Sequence, residues 1–318
     1  MYPIILFTYN RPEHTLKVLE ALKKNTLAEQ SHLHIFVDGP KKEASEDIRN
    51  KIQAVKDIIK SDKWCGSVEY HIAEKNIGCR DSIIQGISKV LETNEAVIVL
   101  EDDIVTSPHF LTYMNAALEF YKNRNSVFSI SGWNYPENKL KLPKDYNYDV
   151  YLSLRLLNWG WGTWKNRWEQ VDWDKSFIKD FIEDEQLTSA FDRAGDDMTL
   201  MLKEEYEGKS DAWDIQFAYN HFKQGAYSIV PTVSYTHNIG LDGTGVHCNS
   251  SDSLSSDLSK CKSQYLFLDN LYLDSRIVNA FYNVNCRQKR PLWKKAINYI
   301  ARKIGINPPF VIKKKIYN

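Results

Sequence analysis

Three consecutive carboxylates, Glu101, Asp102 and Asp103, follow directly on the apolar run 96–100. Like charges a few ångströms apart raise one another's pKa, so such a cluster is costly unless a cation joins it. Hard oxygen donors suit Mn2+ or Mg2+, either of which can also bridge the phosphates of a nucleotide. The plainer reading is a solvated turn whose acids cap the next helix. Other polar groups stand at comparable places: Thr8, Tyr9, Asn10 and Arg11 close one apolar run, and Asp38 closes another.

These residues need a scaffold that brings run ends together. Residues 3–9, 32–39, 67–73 and 96–102 read as buried strands. Amphipathic stretches at 14–25, 45–62 and 80–93 read as the helices between them, the second with Ser45 as N-cap and an acidic first turn. The alternation predicts an α/β fold with a mostly parallel central sheet covered by helices on both faces. In open sheets of this kind ligands bind at the carboxyl ends of the strands, where all the polar groups named above fall. Further on, the pattern predicts a helix over 107–122 opened by Ser107 and Pro108, and a strand over 126–134. An acidic helical stretch over 176–207, a helix over 210–225 ending at Gly225, one strand over 226–238 and a Gly/Ser-rich loop over 240–259 follow.

The 318 residues suffice for a sizeable core. Net charge is zero, but residues 275–318 carry eleven basic and no acidic side chains, leaving thirty basic against forty-one acidic in 1–274. An acidic body argues against nucleic acid as a partner. The basic tail, with interleaved Trp, Ile, Tyr and Phe over 290–315, suits an anionic membrane surface or packing against the acidic body. The five cysteines show no CxxC spacing and are odd in number, so they read as reduced thiols of a cytoplasmic protein. No apolar run is long enough to span a bilayer.

The turn TYNRPE, Asp38, NIGCRDSI (76–83), VLEDD and SGWN, in this order and spacing, resemble the GT-A glycosyltransferases. The resemblance is to the N-acetylglucosaminyltransferase I type and to bacterial family-2-like sugar transferases, and it covers about residues 1–245. It implies a GT-A three-layer α/β/α sandwich, with 1–134 as the nucleotide-sugar half and 135–250 as the acceptor and catalytic half. Residues 251–318 would then be a basic helical extension. It further implies that Asp103 holds Mn2+ or Mg2+, that Glu101 and Asp102 take donor hydroxyls, and that Asp38 accepts from the uracil ring N–H. Thr8 to Arg11 would pack around the base, with Arg11 reaching the diphosphate. Arg80 is either a second diphosphate contact or a salt bridge at a helix start.

Inversion at the sugar requires a base on the acceptor hydroxyl. The resembling enzymes carry it at the start of a helix about eleven residues before a glycine turn. Asp214 stands eleven residues before Gly225, with Asp211 as runner-up or simple N-cap. Trp213 departs from the family-2 pattern, which has an acid there. In NWGWGTW (158–164), Trp161 or Trp164 is expected to be buried and Trp159 nearer the acceptor. His237 or His247 is a candidate second metal ligand or phosphate contact. The resulting expectation is a metal-dependent, inverting glycosyltransferase using a UDP-sugar and a glycan or lipid-linked acceptor in surface polysaccharide synthesis. It would be cytoplasmic, or peripheral on the inner membrane face. A sugar nucleotidyltransferase ranks lower because TYNRPEH lacks a glycine-rich phosphate loop. A non-catalytic carbohydrate-binding protein would show no metal-dependent nucleotide binding.

Overall fold

The computed structural model describes residues 1–242 and 254–286, together with the single position 297. His247, Cys248, most of the 240–259 loop and, apart from position 297, the basic segment 290–315 lie outside the described residues. The first half alternates as the periodicity predicts: β1 (Ile4–Thr8), α1 (Pro12–Lys23), β2 (His32–Val37), α2 (Glu46–Lys60), β3 (Ser67–Ile72), α3 (Cys79–Leu91) and β4 (Ala96–Glu101). Ser45 caps α2, its Oγ accepting from Ile48 N at 3.3 Å. Then come β5 (Ile104–Thr106), α4 (Phe110–Tyr121), β6 (Val127–Ser131), β7 (Val150–Ser153), β8 (Trp161–Trp164) and α5 (Lys165–Trp168). The remaining elements are α6 (Ile178–Glu183), α7 (Glu185–Phe191), α8 (Met198–Tyr206), α9 (Trp213–Lys223), β9 (Tyr227–Pro231), β10 (Thr236–Asn238) and α10 (Ser275–Val284).

Eight strands form one sheet in the order β3-β2-β1-β4-β8-β6-β9-β7. β3, β2, β1 and β4 are mutually parallel, as are β6 and β9, while β8 runs antiparallel between β4 and β6. Alternate residues of β1 point to opposite faces and into different cores. Ile4 and Leu6 join α1, α2 and α4, whereas Ile5 and Phe7 join α3 and the helices from α5 to α9. This is a three-layer α/β/α sandwich. The sheet runs unbroken across position 134, so the two halves share one core. Residues 254–286 pack back onto it, with Leu268 buried beside α4, and Ile277 and Phe281 buried beside β7.

Several local readings change. The 107–122 helix starts at Phe110, and its Leu111 N–H is met by Asn25 Oδ1 at 2.9 Å rather than by Ser107. The 176–207 stretch breaks into α6, α7 and α8, with Asp184 capping α7 through Gln186 N and Leu187 N. The 226–238 strand divides after Pro231, and its second part, β10, leaves the main sheet to pair with β5. In NWGWGTW, Gly160 holds φ +75°, and a Cβ on Gly162 would meet Val97 O at 2.8 Å. Those glycines let the segment turn and enter the sheet as β8. Trp161 and Trp164 are buried as expected. Trp159 is half-buried against Trp133, with ring centroids 4.3 Å apart.

Candidate active site

The carboxyl ends of β1, β2 and β4, the start of α3, the start of α9 and the end of β10 meet on one rim. The electrostatics show how closely the acids gather. Desolvation and then Asp103, Asp102 and Asp214 push Glu101 up to about 8, against the opposing pull of Arg11. Burial lifts Asp102 to about 6 while Arg11 restrains it. The Cys79 thiol is driven up by desolvation and then by the fields of Glu101, Asp211, Asp102 and Asp214. Cys79 therefore stands among four carboxylates drawn from β4 and the approach to α9.

Arg11 is the cation that meets them. Its Nη2 pairs with Asp102 Oδ1, and its Nη1 lies 3.1 Å from Asp103 Oδ2. Each terminal nitrogen thus meets one acid, and the guanidinium keeps three further N–H donors for other partners. Thr8 is also used internally: it is buried, and its Oγ1 donates to Phe36 O at 3.0 Å. Tyr9 and Asn10 stand half-buried on the rim.

Asp38 is a clamp. Its Oδ1 accepts from Gly39 N at 2.8 Å and Ile77 N at 3.0 Å. Its Oδ2 accepts from Asn76 Nδ2 at 2.7 Å and Gly78 N at 3.1 Å. A carboxylate offers about four lone-pair sites, and all are taken. A free acceptor for a uracil N–H is therefore not present at Asp38, which instead fixes the turn leading into α3.

Arg80 is likewise a strut. It donates to Gln216 Oε1 at 2.7 Å (Nη2) and to Trp173 O at 3.3 Å, and lies 3.8 Å from Glu205 Oε1. Of the two readings left open for Arg80, the contacts match the salt bridge at a helix start: Nη1 lies 3.2 Å from Asp81 Oδ1 in the first turn of α3, and the side chain reaches into α8 and α9. Glu205, fully buried, had no signal in the sequence beyond one acid in an acidic helix. It accepts from Ala212 N at 2.8 Å and pairs with Lys175 Nζ at 2.6 Å. Together Glu205 and Arg80 set the entry of α9, which carries Asp214 in its first turn with Ile215 N donating to Asp214 Oδ1 at 2.9 Å. Asp211 is exposed and not the N-cap, since Ala212 holds that position; a Cβ on Gly78 would lie 3.9 Å from Asp211 Oδ2.

The donor set fits a hard divalent cation: Arg11 pairs with two of the acids, Asp102 and Asp103, while Glu101 feels the fields of both and of Asp214. Asp103 is backed closely by Gly240, where a Cβ would lie 2.3 Å from Oδ2. Among the described residues the acids do not form a ready three-ligand cage. That suits an ion held by one or two carboxylates, with phosphate oxygens and water completing its shell. His237 does not fit as a ligand in this arrangement. Its Nδ1 accepts from Ser256 N at 3.2 Å, which places the ring proton on Nε2 and leaves no lone pair there.

This sheet order, with its acidic strand end and the helix carrying Asp214 beside it, is the architecture of a GT-A glycosyltransferase. The chain belongs to the GNT-I family, whose model matches residues 3–194. A curated relative, the alpha-1,3-mannosyl-glycoprotein 2-beta-N-acetylglucosaminyltransferase of Arabidopsis thaliana, is 28% identical over 88 residues, 27% of this chain and 19% of that protein. The match thus spans about a fifth of the relative's length. Similar solved structures include S. aureus TarS 1–349, with TM-score 0.41, 12% identity and coverage of 76% of this chain and 62% of that one. The mannosyltransferase PcManGT from Pyrobaculum calidifontis, in complex with GDP-Man and Mn2+, has TM-score 0.41, 9% identity and coverage of 71% and 70%. Among the described residues no helix is long and apolar enough to cross a membrane.

Proposed function

We propose that the chain is an inverting, divalent-metal-dependent transferase that moves a sugar from a UDP-sugar to a hydroxyl of a glycan or lipid-linked saccharide. The observation that carries this is that Asp214, at the start of α9, lies within electrostatic reach of Glu101 at the end of β4. An inverting displacement needs a base on one side of the sugar carbon and charge neutralisation on the other. Asp214 would accept the proton of the acceptor hydroxyl, and Asp211 is the alternative base. Asp103 would hold Mn2+ or Mg2+, whose contribution is to neutralise the departing diphosphate. Glu101 and Asp102 line the space between and offer acceptors to donor hydroxyls.

The family match and the short alignment to an N-acetylglucosaminyltransferase support a UDP-linked donor. The acidic body and basic end of the sequence support an acceptor presented at an anionic membrane, as in surface polysaccharide synthesis.

Calorimetric titration of UDP with and without Mn2+, on the native chain and Asp103→Ala, tests the reading. Metal-dependent binding lost in the variant supports it. Binding of GDP but not UDP would keep the class and overturn the donor. No nucleotide binding under any metal condition would overturn the whole proposal.

A further inference from the structure

A second cluster of ligating side chains lies away from this rim. β2 opens His32-Leu33-His34, and the edge strand β3 carries Glu69-Tyr70-His71. Period-two alternation puts His32, His34, Glu69 and His71 on one face of the sheet, and the register sets His34 directly beside Glu69. Ligand atoms of His32, His34 and Glu69 all lie within 4.8 Å of one another. The separations are 3.6 Å from His34 Nδ1 to Glu69 Oε2 and 4.0 Å from His32 Nε2 to the same oxygen. Two donors on one tetrahedral zinc ion, at bonds near 2.1 Å, stand about 3.4 Å apart. The His34–Glu69 pair is within a few tenths of an ångström of that spacing and the His32–Glu69 pair within about 0.6 Å, and the exposed His32 and Glu69 can move to close the rest.

Two further observations point the same way. His34 is buried at 7% exposure, and its Nε2 has no hydrogen-bond partner among the described residues. The ring is therefore held in place without a polar interaction on Nε2, while its Nδ1 lies 3.2 Å from His71 Nε2 and 3.6 Å from Glu69 Oε2. His71 supplies support: Lys89 Nζ lies 3.2 Å from its Nδ1, so that nitrogen accepts and the ring proton sits on Nε2. That Nε2–H stands 3.2 Å from His34 Nδ1 and 3.3 Å from Glu69 Oε1; once an ion takes the His34 lone pair, it is left to the carboxylate, which it orients as hydrogen bonds do around metal-bound carboxylates.

We propose that His32 Nε2, His34 Nδ1 and a Glu69 oxygen form a site for a borderline divalent transition metal of the zinc class, with His71 as a positioning residue. Two imidazoles and one carboxylate select Zn2+, Ni2+ or Cu2+ over the hard ions suited to Asp103. The site joins β2 to the edge strand β3, so a bound ion fastens the margin of the sheet.

The test is zinc titration of the full chain by chelator competition, run on Asp103→Ala to weaken any competing site on the acidic rim. Cobalt absorption serves as a second readout, because tetrahedral Co2+ absorbs far more strongly in the visible than octahedral Co2+. One saturable equivalent in the Asp103→Ala chain is expected, weakened at least about tenfold on adding His32→Ala or Glu69→Gln, as happens when even a supporting partner of a metal ligand is lost. His32 and Glu69 are exposed, so both variants are expected to fold. Equal zinc affinity with and without these two substitutions, or no saturable binding at all, would overturn the site. Neither result bears on nucleotide binding.

Discussion

Arg80 Nη2 donates to Gln216 Oε1 at 2.7 Å across 136 positions of sequence, and so fastens the first turn of α3 to the second residue after Asp214. The guanidinium also lies over Trp173, 5.9 Å from its ring centroid. Arg80→Ala is therefore expected to lower stability by about 1–3 kcal/mol, the range for a hydrogen bond from a charged group, because Lys175 still neutralises Glu205. It should reduce kcat through the displaced α9 while leaving nucleotide affinity within a few-fold. Denaturant unfolding and steady-state kinetics check both halves. A selective loss of nucleotide binding would return Arg80 to the diphosphate.

The four bonds accepted by Asp38 make an equally sharp prediction. Asp38→Asn exchanges an acceptor oxygen for a donor facing donors, which should destabilise the 76–78 turn by roughly 2–4 kcal/mol. Nucleotide affinity should then fall alike for UDP and for a diphosphate bearing another base. A loss confined to UDP would show that Asp38 reads the uracil ring after all.

Asp214 and Asp211 separate by kinetics. Asp214→Asn keeps the shape and the bond from Ile215 N but removes the base, and a general base contributes roughly 10²–10⁴ in rate. Expected is a kcat loss of that order with donor KM little changed, against a loss below about tenfold for Asp211→Asn. The reverse ranking would move the base to Asp211.

The parallel half of the sheet was legible because its signals are local: period-two apolar runs, amphipathic helices between them and a serine cap at 45. The rim was legible for the same reason, since polar residues ending apolar runs collect wherever parallel strands end. What those residues do was less so. Asp38 was assigned to ligand, and Arg80 left between ligand and salt bridge, because sequence shows where a side chain starts, not that Asn76 or Gln216 will already have claimed it. Glu205 left no mark, as a buried acid and a solvated one look alike in a helix with mixed charges. β8 was hidden by its glycines, which disguise a central strand as an aromatic turn. Their reason, the approach of Gly162 to Val97 O, is a contact across 65 positions.

His221, fully buried in α9 with its ring stacked on Phe128 at 19° between planes, makes the stability of the fold pH-dependent. Burial lowers its pKa from the ordinary 6.5 to about 4, against a small opposing effect of the Tyr227 backbone. Above pH 6.5 the ring is neutral in both folded and unfolded chains, and the full stability is present. Between 6.5 and 4 the unfolded chain takes up a proton that the folded chain refuses, so stability falls with pH, by roughly 2–3 kcal/mol at pH 4.5. Glu101 and Asp102, raised in the fold, act in the opposite sense and gain stability as they protonate. The raw pH profile of the native chain therefore mixes the two. Comparison with His221→Leu separates them, since every other group is common to both chains. Urea unfolding at pH 7.5 and 4.5 should show the native chain losing about 2–3 kcal/mol more than the variant over that interval. Equal losses in the two chains would mean that His221 is protonated inside the fold, and that α9 carries a buried charge about two turns after Asp214.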